Sequence, residues 1–459
     1  MIAALAVLLE EKRVSILGFG REGISSYRYI RKFYPEKKLI ISDMNPNLLI
    51  DNPFLLEDKN VEMMLGEKYL DALDADVIIK SPGVNLKGAS QTIPWHKIHT
   101  QTSLFLEAFH RQTIGITGTK GKSTTSTLIY HVLQNSGQDA VLLGNIGVPP
   151  FDRLEEIGAQ THVVLEMSAH QLEHIQFSPY IAVLLNLFQE HLDYFGTLDT
   201  YFQSKLNIAR HQNKEDICIY NADDALLQKY ISDLDFKGKT FGVSQQSVCQ
   251  NGCCIEDEKI CMYVENECKW ALPVNPLWHL KGAHNLFNMQ TALVVAYCLG
   301  VSFESICASM LTFKGLEHRL EYVGQYNGVH YYNDSIATIP EAVIQAVETL
   351  GKVDTLILGG FDRGIDYQIL VDFLCKNHIP NLIFTGEAGK RIREMLVESN
   401  KTSSRLYFSD DYAEIVSIAK KQTNPGRICL LSPAAASYDA FKNFEERGNC
   451  YKNLIKERN

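Results

Sequence analysis

The sequence predicts an α/β protein of three domains, each built on a mostly parallel sheet. Two observations lead to this prediction. Short apolar runs alternate with segments of helical periodicity along the whole chain, as in successive strand–helix–strand units. A glycine-rich turn follows an apolar run at residues 18–23 and again at residues 118–121, as in sheets that bind nucleotides at their carboxyl edge. The 459 residues suffice for about three domains of ~150 residues, which we expect to span residues 1–110, 111–314 and 315–459.

The first domain begins with a nucleotide-binding pattern. Residues 13–33 read as a strand, a glycine turn and a helix, and residues 38–43 read as a second strand. The turn fits G-x-G-x-x-G, and Asp43 lies 20 residues beyond its last glycine, Gly23. This spacing is typical of a Rossmann-like dinucleotide site, but Glu22 at the helix N-terminus would repel a pyrophosphate. We therefore predict a Rossmann-like nucleotide module without assigning NAD to it.

Another strand is predicted at residues 76–80, and the glycine turn S-P-G-V follows it at residues 81–84. Because such sheets bind ligands at the carboxyl ends of their strands, both glycine turns are candidate binding loops. Two alternatives stay open at this point: glycine turns that bind no ligand, and a non-catalytic or NAD-binding Rossmann protein.

The second domain begins with a phosphate-binding loop between a strand and a helix. Residues 114–117 read as the strand, and an amphipathic helix follows the loop through Leu133. The loop G-T-K-G-K-S at residues 118–123 is shorter than the common G-x-x-x-x-G-K-[ST] loop. That common loop would need a glycine where Ile116 stands. The arrangement predicts a central parallel sheet of the P-loop ATPase type.

The loop residues match the needs of a bound triphosphate. Gly118 and Gly121 let backbone N–H groups face an anion, and the helix N-terminus adds a partial positive charge. The ammonium of Lys122 can bind β- and γ-phosphate oxygens, and the hydroxyl of Ser123 or Thr124 can bind Mg²⁺. A glycine-rich turn that happens to contain lysines is the alternative.

Two further side chains are candidate metal ligands. Strands are predicted at residues 162–166 and 181–186, so Glu166 lies at the carboxyl edge of the sheet and His191 follows the neighbouring strand. A carboxylate at this edge is a natural ligand of Mg²⁺, and a histidine can also bind a metal. The alternatives are a solvated glutamate and a structural histidine.

The remainder of the second domain is predicted to hold a helix at residues 197–211, a strand at residues 217–221 and a helix at residues 284–300 that ends at a glycine cap. Residues 240–270 are polar, and we expect irregular chain or short antiparallel strands there. Because no histidine pattern accompanies its cysteines, we expect surface thiols in a reducing cytosol and no zinc site. These cysteines are Cys249, Cys253, Cys254, Cys261 and Cys268.

The third domain is predicted to be Rossmann-like. Strands are expected at residues 329–334, 355–360, 382–386 and 427–433, with a helix at residues 340–350. Strands that alternate with helices imply a parallel sheet.

Composition excludes several classes of protein. The net charge of −10 and the pI near 5.8 argue against nucleic-acid binding by bulk electrostatics. The apolar N-terminal segment lacks the basic start and the cleavage site of a signal peptide, and no apolar run is long enough to cross a bilayer. We expect a cytoplasmic monomer that binds no nucleic acid and inserts into no membrane.

A series of short motifs resembles those of the Mur ligases, ATP-dependent enzymes that form amide bonds in peptidoglycan precursors. Their order covers nearly the whole chain, and the C-terminal motif is highly specific. The motifs are TGTKGKST at 117–124, EMS at 166–168, EHLD at 190–193, SKL at 204–206, GAHNLFN at 282–288, HRLE at 318–321, NDSIAT at 333–338 and SPAAASYDAFKNFEERG at 432–448.

The resemblance implies a reaction. ATP would phosphorylate the carboxylate of UDP-N-acetylmuramoyl-L-alanine, and the amine of glutamate would attack the resulting acyl phosphate. The N-terminal Rossmann-like domain would hold UDP, the central domain ATP, and the C-terminal domain glutamate. Another Mur step, or ligation of the folylpolyglutamate or cyanophycin type, is the alternative within this superfamily.

The resemblance also implies the residues of the nucleotide and metal sites. Lys122, His191 and Lys205 would be catalytic, and Lys205 would be carbamylated so that it can bridge two Mg²⁺ ions. The metal ligands would be Ser123, Glu166, His191 and Lys205. The ATP-binding residues would be Gly118, Thr119, Lys120, Gly121, Lys122, Ser123, Thr124, Asn285, Asn288, Arg319 and Asp334.

Substrate contacts follow from the same resemblance, with departures. On the UDP side they would be Arg21, Asp43 and Gly83, with Asn145 at the muramoyl group; Arg21 and Glu22 replace the apolar–threonine pair of the family. On the glutamate side they would be Thr338, Arg363, Ser437, Tyr438 and Phe444.

On the glutamate side, two positions that hold lysine in the family hold other residues in this chain. Ile336 stands at the usual lysine of N-D-S-K-A-T-N, and Arg363 in G-G-F-D-R-G lies roughly where the family has a later lysine. Arginine can pair with a carboxylate through two hydrogen bonds, whereas lysine acts as a point charge. We expect D-glutamate as the substrate, and L-glutamate, used by a variant branch with similar motifs, as the alternative.

Overall fold

The computed structural model describes residues 9–86, 94–144, 148–234, 236–274, 280 and 282–457. They form sheets of 5, 9 and 6 strands in two compact units. The first two sheets belong to one unit, and the third sheet belongs to the other. The sheets are mostly parallel, which confirms the α/β class; the boundaries of the three domains remain a prediction.

The N-terminal sheet is parallel throughout, with the strand order β3-β2-β1-β4-β5. This order is the one expected for a doubly wound sheet whose ligand lies at the carboxyl ends of the strands. Its strands are β1 (Val14–Leu17), β2 (Leu39–Asp43), β3 (Val61–Leu65), β4 (Val77–Lys80) and β5 (Ile98–His99), and its helices are α1 (Arg21–Phe33), α2 (Leu48–Asp51) and α3 (Gln101–Phe109).

The two glycine turns of this sheet contact each other. The Ser81 hydroxyl donates to the Gly18 carbonyl oxygen at 2.6 Å. Gly18 has a φ of +86°, and a Cβ at this position would collide with Val84 and Ser81. A Cβ on Gly23 would collide with the Gly18 carbonyl oxygen, so the predicted turn requires glycine at these two positions.

The central sheet has the order β14-β13-β12-β11-β10-β9-β6-β8-β7 and is parallel from β7 to β12. Its first strands are β6 (Thr113–Thr117), β7 (Ala140–Gly144), β8 (His162–Glu166), β9 (Ile181–Leu184) and β10 (Ile217–Asn221). The sheet continues with β11 (Lys239–Val243), β12 (Gly252–Glu256), β13 (Lys259–Val264) and β14 (Glu267–Pro273). The last two strands are antiparallel, as predicted for residues 240–270.

The helices of the central sheet are α4 (Lys122–Asn135), α5 (Ala169–Leu172), α6 (Leu192–Phe195), α7 (Leu198–Arg210), α8 (Ala225–Asp233), α9 (Ala283–Cys298) and α10 (Phe303–Thr312). The predicted glycine cap of α9 is confirmed. Gly300 has a φ of +72°, and the Val301 amide donates to the Ala296 carbonyl oxygen at 3.0 Å, a pattern typical of helix C-termini.

The expectation of surface cysteines is wrong for most of the cluster. Cys249, Cys253, Cys254 and Cys261 are buried, and Cys268 is exposed. Cys254 and Cys261 lie opposite each other on β12 and β13, so the antiparallel strands bury these side chains. Burial raises the pKa of Cys254 to about 12 and that of Cys249 to about 11, which keeps both thiols protonated and unreactive near neutral pH.

The third sheet has the order β15-β16-β20-β17-β18-β19, with one antiparallel edge strand, β15. Its strands are β15 (Glu321–Tyr326), β16 (Val329–Asn333), β17 (Val353–Gly359), β18 (Asn381–Thr385), β19 (Arg405–Phe408) and β20 (Ile428–Leu431). Its helices are α11 (Pro340–Leu350), α12 (Gln368–Lys376), α13 (Gly386–Ser399), α14 (Tyr412–Gln422) and α15 (Phe444–Lys456).

The N-terminal and central sheets share one hydrophobic core. The Phe151 ring of the central domain lies 5.0 Å from the Tyr29 ring on α1, measured between ring centroids. This burial of aromatic surface explains why two predicted domains form one compact unit. Among the described helices, none combines the length and the hydrophobicity that a bilayer span requires.

Candidate active site

The phosphate-binding loop joins β6 to α4. Gly118 has a φ of +155° and Gly121 a φ of +86°. A Cβ on Gly118 would lie 2.8 Å from the Leu185 Cβ, and one on Gly121 would lie 2.8 Å from the Asn288 Oδ1. Helix α4 begins at Lys122, so the N–H groups of its first turn are available to an anion.

Two lysines converge on one carbonyl oxygen of this loop. The Lys122 ammonium donates to the Gly118 carbonyl oxygen at 2.8 Å, and the Lys205 ammonium donates to the same oxygen at 3.0 Å. Lys205 lies on α7 and is only 2% exposed. Burial, and secondly the charge of Lys122, lower the pKa of Lys205 to about 7. Because the Lys122 ammonium lies here at the N-terminus of α4, the site favours an anionic ligand.

Asn186, which the sequence analysis did not single out, fixes the first half of the loop. Its Oδ1 accepts hydrogen bonds from the backbone N–H of Thr119 at 3.0 Å and of Lys120 at 2.8 Å. Its Nδ2 donates to the Lys120 carbonyl oxygen at 3.0 Å. The signal for this residue was its place two positions after the end of the buried strand β9, which pairs with β6.

We expect Asn186→Ala to destabilise the protein by about 1–3 kcal/mol, because the Lys120 N–H and carbonyl oxygen lose their side-chain partner. The Thr119 N–H loses one of its two acceptors and keeps the Asn186 carbonyl oxygen. It should also raise the KM for ATP, because the loop loses its fixed shape. Chemical denaturation and initial rates measure the two effects. Asn207→Ala is the matched control, since Asn207 donates to the carbonyl oxygens of Leu172 and Glu173 and should lower stability without changing the KM for ATP. Equal ATP affinity in both variants would contradict the prediction.

Glu166 lies beside the first turn of α4. It is the last residue of β8 and is fully buried. Its Oε2 lies 3.5 Å from the Ser126 hydroxyl, which also lies 2.9 Å from the Lys122 carbonyl oxygen. The Glu166 carboxylate and the Ser123 hydroxyl offer the oxygen ligands that Mg²⁺ prefers.

Within the described part of the chain, no group of three or more histidine, cysteine, aspartate or glutamate side chains is arranged to hold a metal ion. The predicted set contains only two such residues, Glu166 and His191. Mg²⁺ usually keeps several waters and phosphate oxygens as ligands, so a set with few protein ligands fits this ion.

His191 stands at the start of α6 in a left-handed conformation with a φ of +55°. Its half-exposed ring lies 5.9 Å from the Tyr201 ring and 5.0 Å from the His170 ring, measured between ring centroids. Tyr201 also contacts the loop: the Lys205 ammonium lies 4.8 Å from its ring centroid, and its hydroxyl is 3.3 Å from the Thr119 hydroxyl. Tyr201, also missed from sequence, therefore lies beside His191, Lys205 and the loop.

Helix α9 brings the predicted asparagines to the loop. Asn288 lies directly beside Gly121, and its Nδ2 donates to the Asn285 Oδ1 at 3.4 Å. The Lys120 side chain forms an ion pair with Glu190. Asn145 lies outside the described residues.

The predicted UDP side is formed by the first glycine turn and its neighbours. Asp43 Oδ2 accepts from the Phe19 N–H at 2.6 Å, which fixes the turn. Gly83 is exposed in the turn after β4, and Arg21 is exposed at the start of α1. The Glu22 carboxylate accepts from Gln171 Nε2 at 2.6 Å, and burial raises the pKa of Glu22 to about 7.

In the C-terminal unit, Asp334 is held from two sides. Its carboxylate accepts from the Leu320 N–H at 3.1 Å and from the Ser432 hydroxyl at 2.8 Å. Burial raises the pKa of Asp334 to about 7, and the nearby charge of Arg319 opposes this shift. Both predicted residues therefore lie in one region of this unit.

The predicted glutamate-binding residues of the C-terminal unit make three sets of contacts. Arg363 donates to the Thr338 carbonyl oxygen at 3.0 Å. The Tyr438 ring lies 6.4 Å from the Phe361 ring, and Ser437 is the buried neighbour of Tyr438. The Phe444 carbonyl oxygen accepts from the Ser335 hydroxyl at 2.8 Å, and its ring lies 6.0 Å from that of His318.

Known proteins match this chain over most of its length. The family described as "Mur ligase middle domain" matches residues 116–296, and "Mur ligase, glutamate ligase domain" matches residues 318–435. A UDP-N-acetylmuramoylalanine--D-glutamate ligase from Caldanaerobacter subterraneus is 32% identical over 455 residues, covering 97% of this chain and 98% of the relative. One from Clostridium kluyveri is 33% identical over 417 residues, covering 88% of this chain and 87% of the relative.

A solved structure supports the same fold. The MurF ligase from Thermotoga maritima in complex with ADP has a TM-score of 0.56 at 18% identity and covers 98% of this chain and 97% of its own. With two family matches that span the loop, the metal-ligand candidates and the C-terminal sheet, the chain belongs to the Mur ligase family and is an ATP-dependent ligase that forms amide bonds.

Proposed function

We propose that the protein joins glutamate to UDP-N-acetylmuramoyl-L-alanine and converts ATP to ADP and phosphate, a step of peptidoglycan precursor synthesis. The observation that carries the proposal is the convergence of Lys122 and Lys205 on the Gly118 carbonyl oxygen, beside a helix N-terminus. Relatives of about 32% identity that carry the name D-glutamate ligase support the choice of substrates.

The proposed chemistry has two steps. A carboxylate oxygen of the substrate attacks the γ-phosphorus of ATP, the bond to the β-phosphate oxygen breaks, and an acyl phosphate and ADP form. The glutamate amine then attacks the acyl carbon, loses a proton, and phosphate leaves with the electrons of the broken C–O bond. Both steps concentrate negative charge, so Lys122 and the first-turn N–H groups of α4 would stabilise them.

Ser123, Glu166 and His191 would hold Mg²⁺, which would neutralise charge on the phosphates. We propose that Lys205 is carbamylated: its ammonium first loses one proton, and the neutral amine nitrogen then adds to the carbon of CO₂ and loses a second proton, so that a carbamate anion replaces the ammonium. The burial of Lys205 beside Lys122 supports this, since only a neutral amine reacts with CO₂ and an ammonium would repel Mg²⁺.

The remaining assignments follow the same proposal. Residues 1–110 would bind UDP through Arg21, Asp43 and Gly83, residues 111–314 would bind ATP, and residues 315–459 would bind glutamate. Asn285 and Asn288 would contact the adenine side, and Arg319 and Asp334 the ribose and phosphates. ATP and UDP-linked sugars are cytoplasmic metabolites, so the reaction would take place in the cytoplasm. The active form would be a monomer.

The test of the function is direct. The protein is incubated with ATP, Mg²⁺ and UDP-N-acetylmuramoyl-L-alanine, with D-glutamate or L-glutamate as the second substrate, and ADP and the product are quantified. ADP release that requires D-glutamate would support the preferred reaction. Dependence on L-glutamate would select the variant reaction, and no turnover with either enantiomer would reject the proposal.

Arg363→Lys should change the preference between the glutamate enantiomers. The guanidinium donates to Thr338, and a planar group that binds a carboxylate through two hydrogen bonds is lost on substitution by lysine. We expect the KM for glutamate to rise about tenfold, since a hydrogen bond to a charged group contributes ~1.5–3 kcal/mol. The D/L ratio of kcat/KM measures the preference. Arg393→Lys, at an exposed position of α13, is the control, and an unchanged ratio in Arg363→Lys would exclude this role.

A further inference from the structure

A buried lysine that the proposed chemistry does not use lies at the end of β4. The Lys80 side chain has no exposed surface. Its ammonium donates to the Tyr194 hydroxyl at 3.2 Å and lies 3.7 Å from Glu173 Oε2. It also lies 3.4 Å from the carbonyl oxygens of Ser81 and Pro82. Lys80 thus holds the S-P-G-V turn, a predicted contact of the UDP moiety, to the central domain.

Tyr194 connects the same turn to the segment of His191. Its hydroxyl lies 2.9 Å from Glu173 Oε2 and 3.0 Å from the Val84 carbonyl oxygen. Its backbone N–H donates to the His191 carbonyl oxygen at 3.2 Å in the first turn of α6. Tyr194 therefore contacts the UDP-side turn through its hydroxyl group. Its backbone N–H is hydrogen-bonded to His191, the residue that we assign to the metal.

The ring of His170 provides a second connection between Tyr194 and His191. The His170 ring lies 4.4 Å from the Tyr194 ring and 5.0 Å from the His191 ring, both in edge-on contact and measured between ring centroids. His191 holds a left-handed backbone conformation with a φ of +55°. Such a conformation is unfavourable for histidine without support from its surroundings, and α6 and the His170 contact supply that support.

We propose that Tyr194, anchored by Lys80, is a positioning residue that couples occupation of the S-P-G-V turn by the UDP-linked substrate to binding of Mg²⁺-nucleotide at the phosphate-binding loop. The inference rests on the proposed function. A ligand that fixes the turn also fixes Lys80 and Tyr194, and through them His191, so part of the ordering needed by the second ligand is already complete. By linkage, each ligand then raises the affinity of the other by the same factor.

The experiment measures this factor by calorimetry. A non-hydrolysable ATP analogue with Mg²⁺ is titrated into the full-length protein with and without saturating UDP-N-acetylmuramoyl-L-alanine. We expect the substrate to lower the Kd of the analogue at least fivefold in the wild type and less than twofold in Tyr194→Phe. This variant keeps the ring contacts with His170 and loses only the hydroxyl. Tyr230→Phe is the matched control, because that hydroxyl contacts only the exposed Asp199 among the hydrogen-bond partners described.

The possible outcomes distinguish a failure of the proposed coupling from a failure of the proposed function. Full enhancement in Tyr194→Phe, or none in a wild type that binds both ligands, overturns the coupling. A wild type that binds neither ligand instead overturns the proposed function. Lys80→Met should also lose the enhancement. Glu173 then loses the Lys80 cation and retains His174 and the Tyr194 hydroxyl as partners; if the variant nevertheless fails to fold, Tyr194→Phe still decides the question.

Discussion

Lys122→Ala is expected to reduce kcat by about 10³-fold or more while the fold is retained. Removing a single neutral donor from a transition state costs ~10²–10³ in rate, and Lys122 is a charged donor at the start of a helix. The loop loses the hydrogen bonds of Lys122 to the Gly118 and Thr119 carbonyl oxygens. The Gly118 oxygen keeps a partner in Lys205, and Asn186 still holds the Thr119 N–H. The loss should therefore fall on catalysis more than on stability.

Phosphate release at saturating ATP measures this effect, and thermal unfolding checks the fold. Lys214→Ala, at an exposed position of the same unit, controls for the general loss of one positive charge and should keep the wild-type rate. Turnover of Lys122→Ala within tenfold of the wild type would rule out a role of this lysine in phosphate binding.

Lys205→Ala is expected to lose activity by about 10²–10³-fold and to regain part of it in acetate or formate. If Lys205 acts as a carbamate, the alanine variant lacks a carboxylate in a buried space that a small carboxylic acid can fill. The Lys122 ammonium shares the Gly118 carbonyl oxygen with Lys205, so an anion in that space gains a neighbouring cation.

The rescue is measured as initial rate against the concentration of acetate, with sodium chloride at equal ionic strength as the reference. Methylamine is the informative second additive, because it replaces an ammonium and not a carboxylate. Rescue by methylamine alone would show that an unmodified amine is the active form. Lys122→Ala with acetate is the matched variant and should show no rescue.

The fold class and the phosphate-binding loop followed from local patterns. Glycines at residues 118 and 121 have positive φ, a backbone requirement that a sequence displays directly. Asn186 and Tyr201 were missed because their importance lies in contacts with Thr119, which is 67 and 82 positions away in the chain. Such contacts depend on the order of strands in the sheet, and periodicity does not reveal that order.

The prediction of surface-exposed cysteines was wrong for a different reason. Asp257 and Glu258 form the tip of the hairpin with φ values of +46° and +58°, and Glu265 and Asn266 form the next tip with +52° and +64°. These polar turn residues made the whole segment look solvent-exposed. Adjacent residues of a strand point to opposite faces, so Cys253 and Cys254 are buried on both sides of the sheet.

The Phe151–Tyr29 contact predicts how the protein would respond to division into two fragments. Both sheets contribute residues to one hydrophobic core, which includes these aromatic rings. Cleavage of the polypeptide after residue 110 would therefore expose apolar surface on each fragment. We therefore expect that a fragment of residues 1–110 does not fold stably without the central sheet.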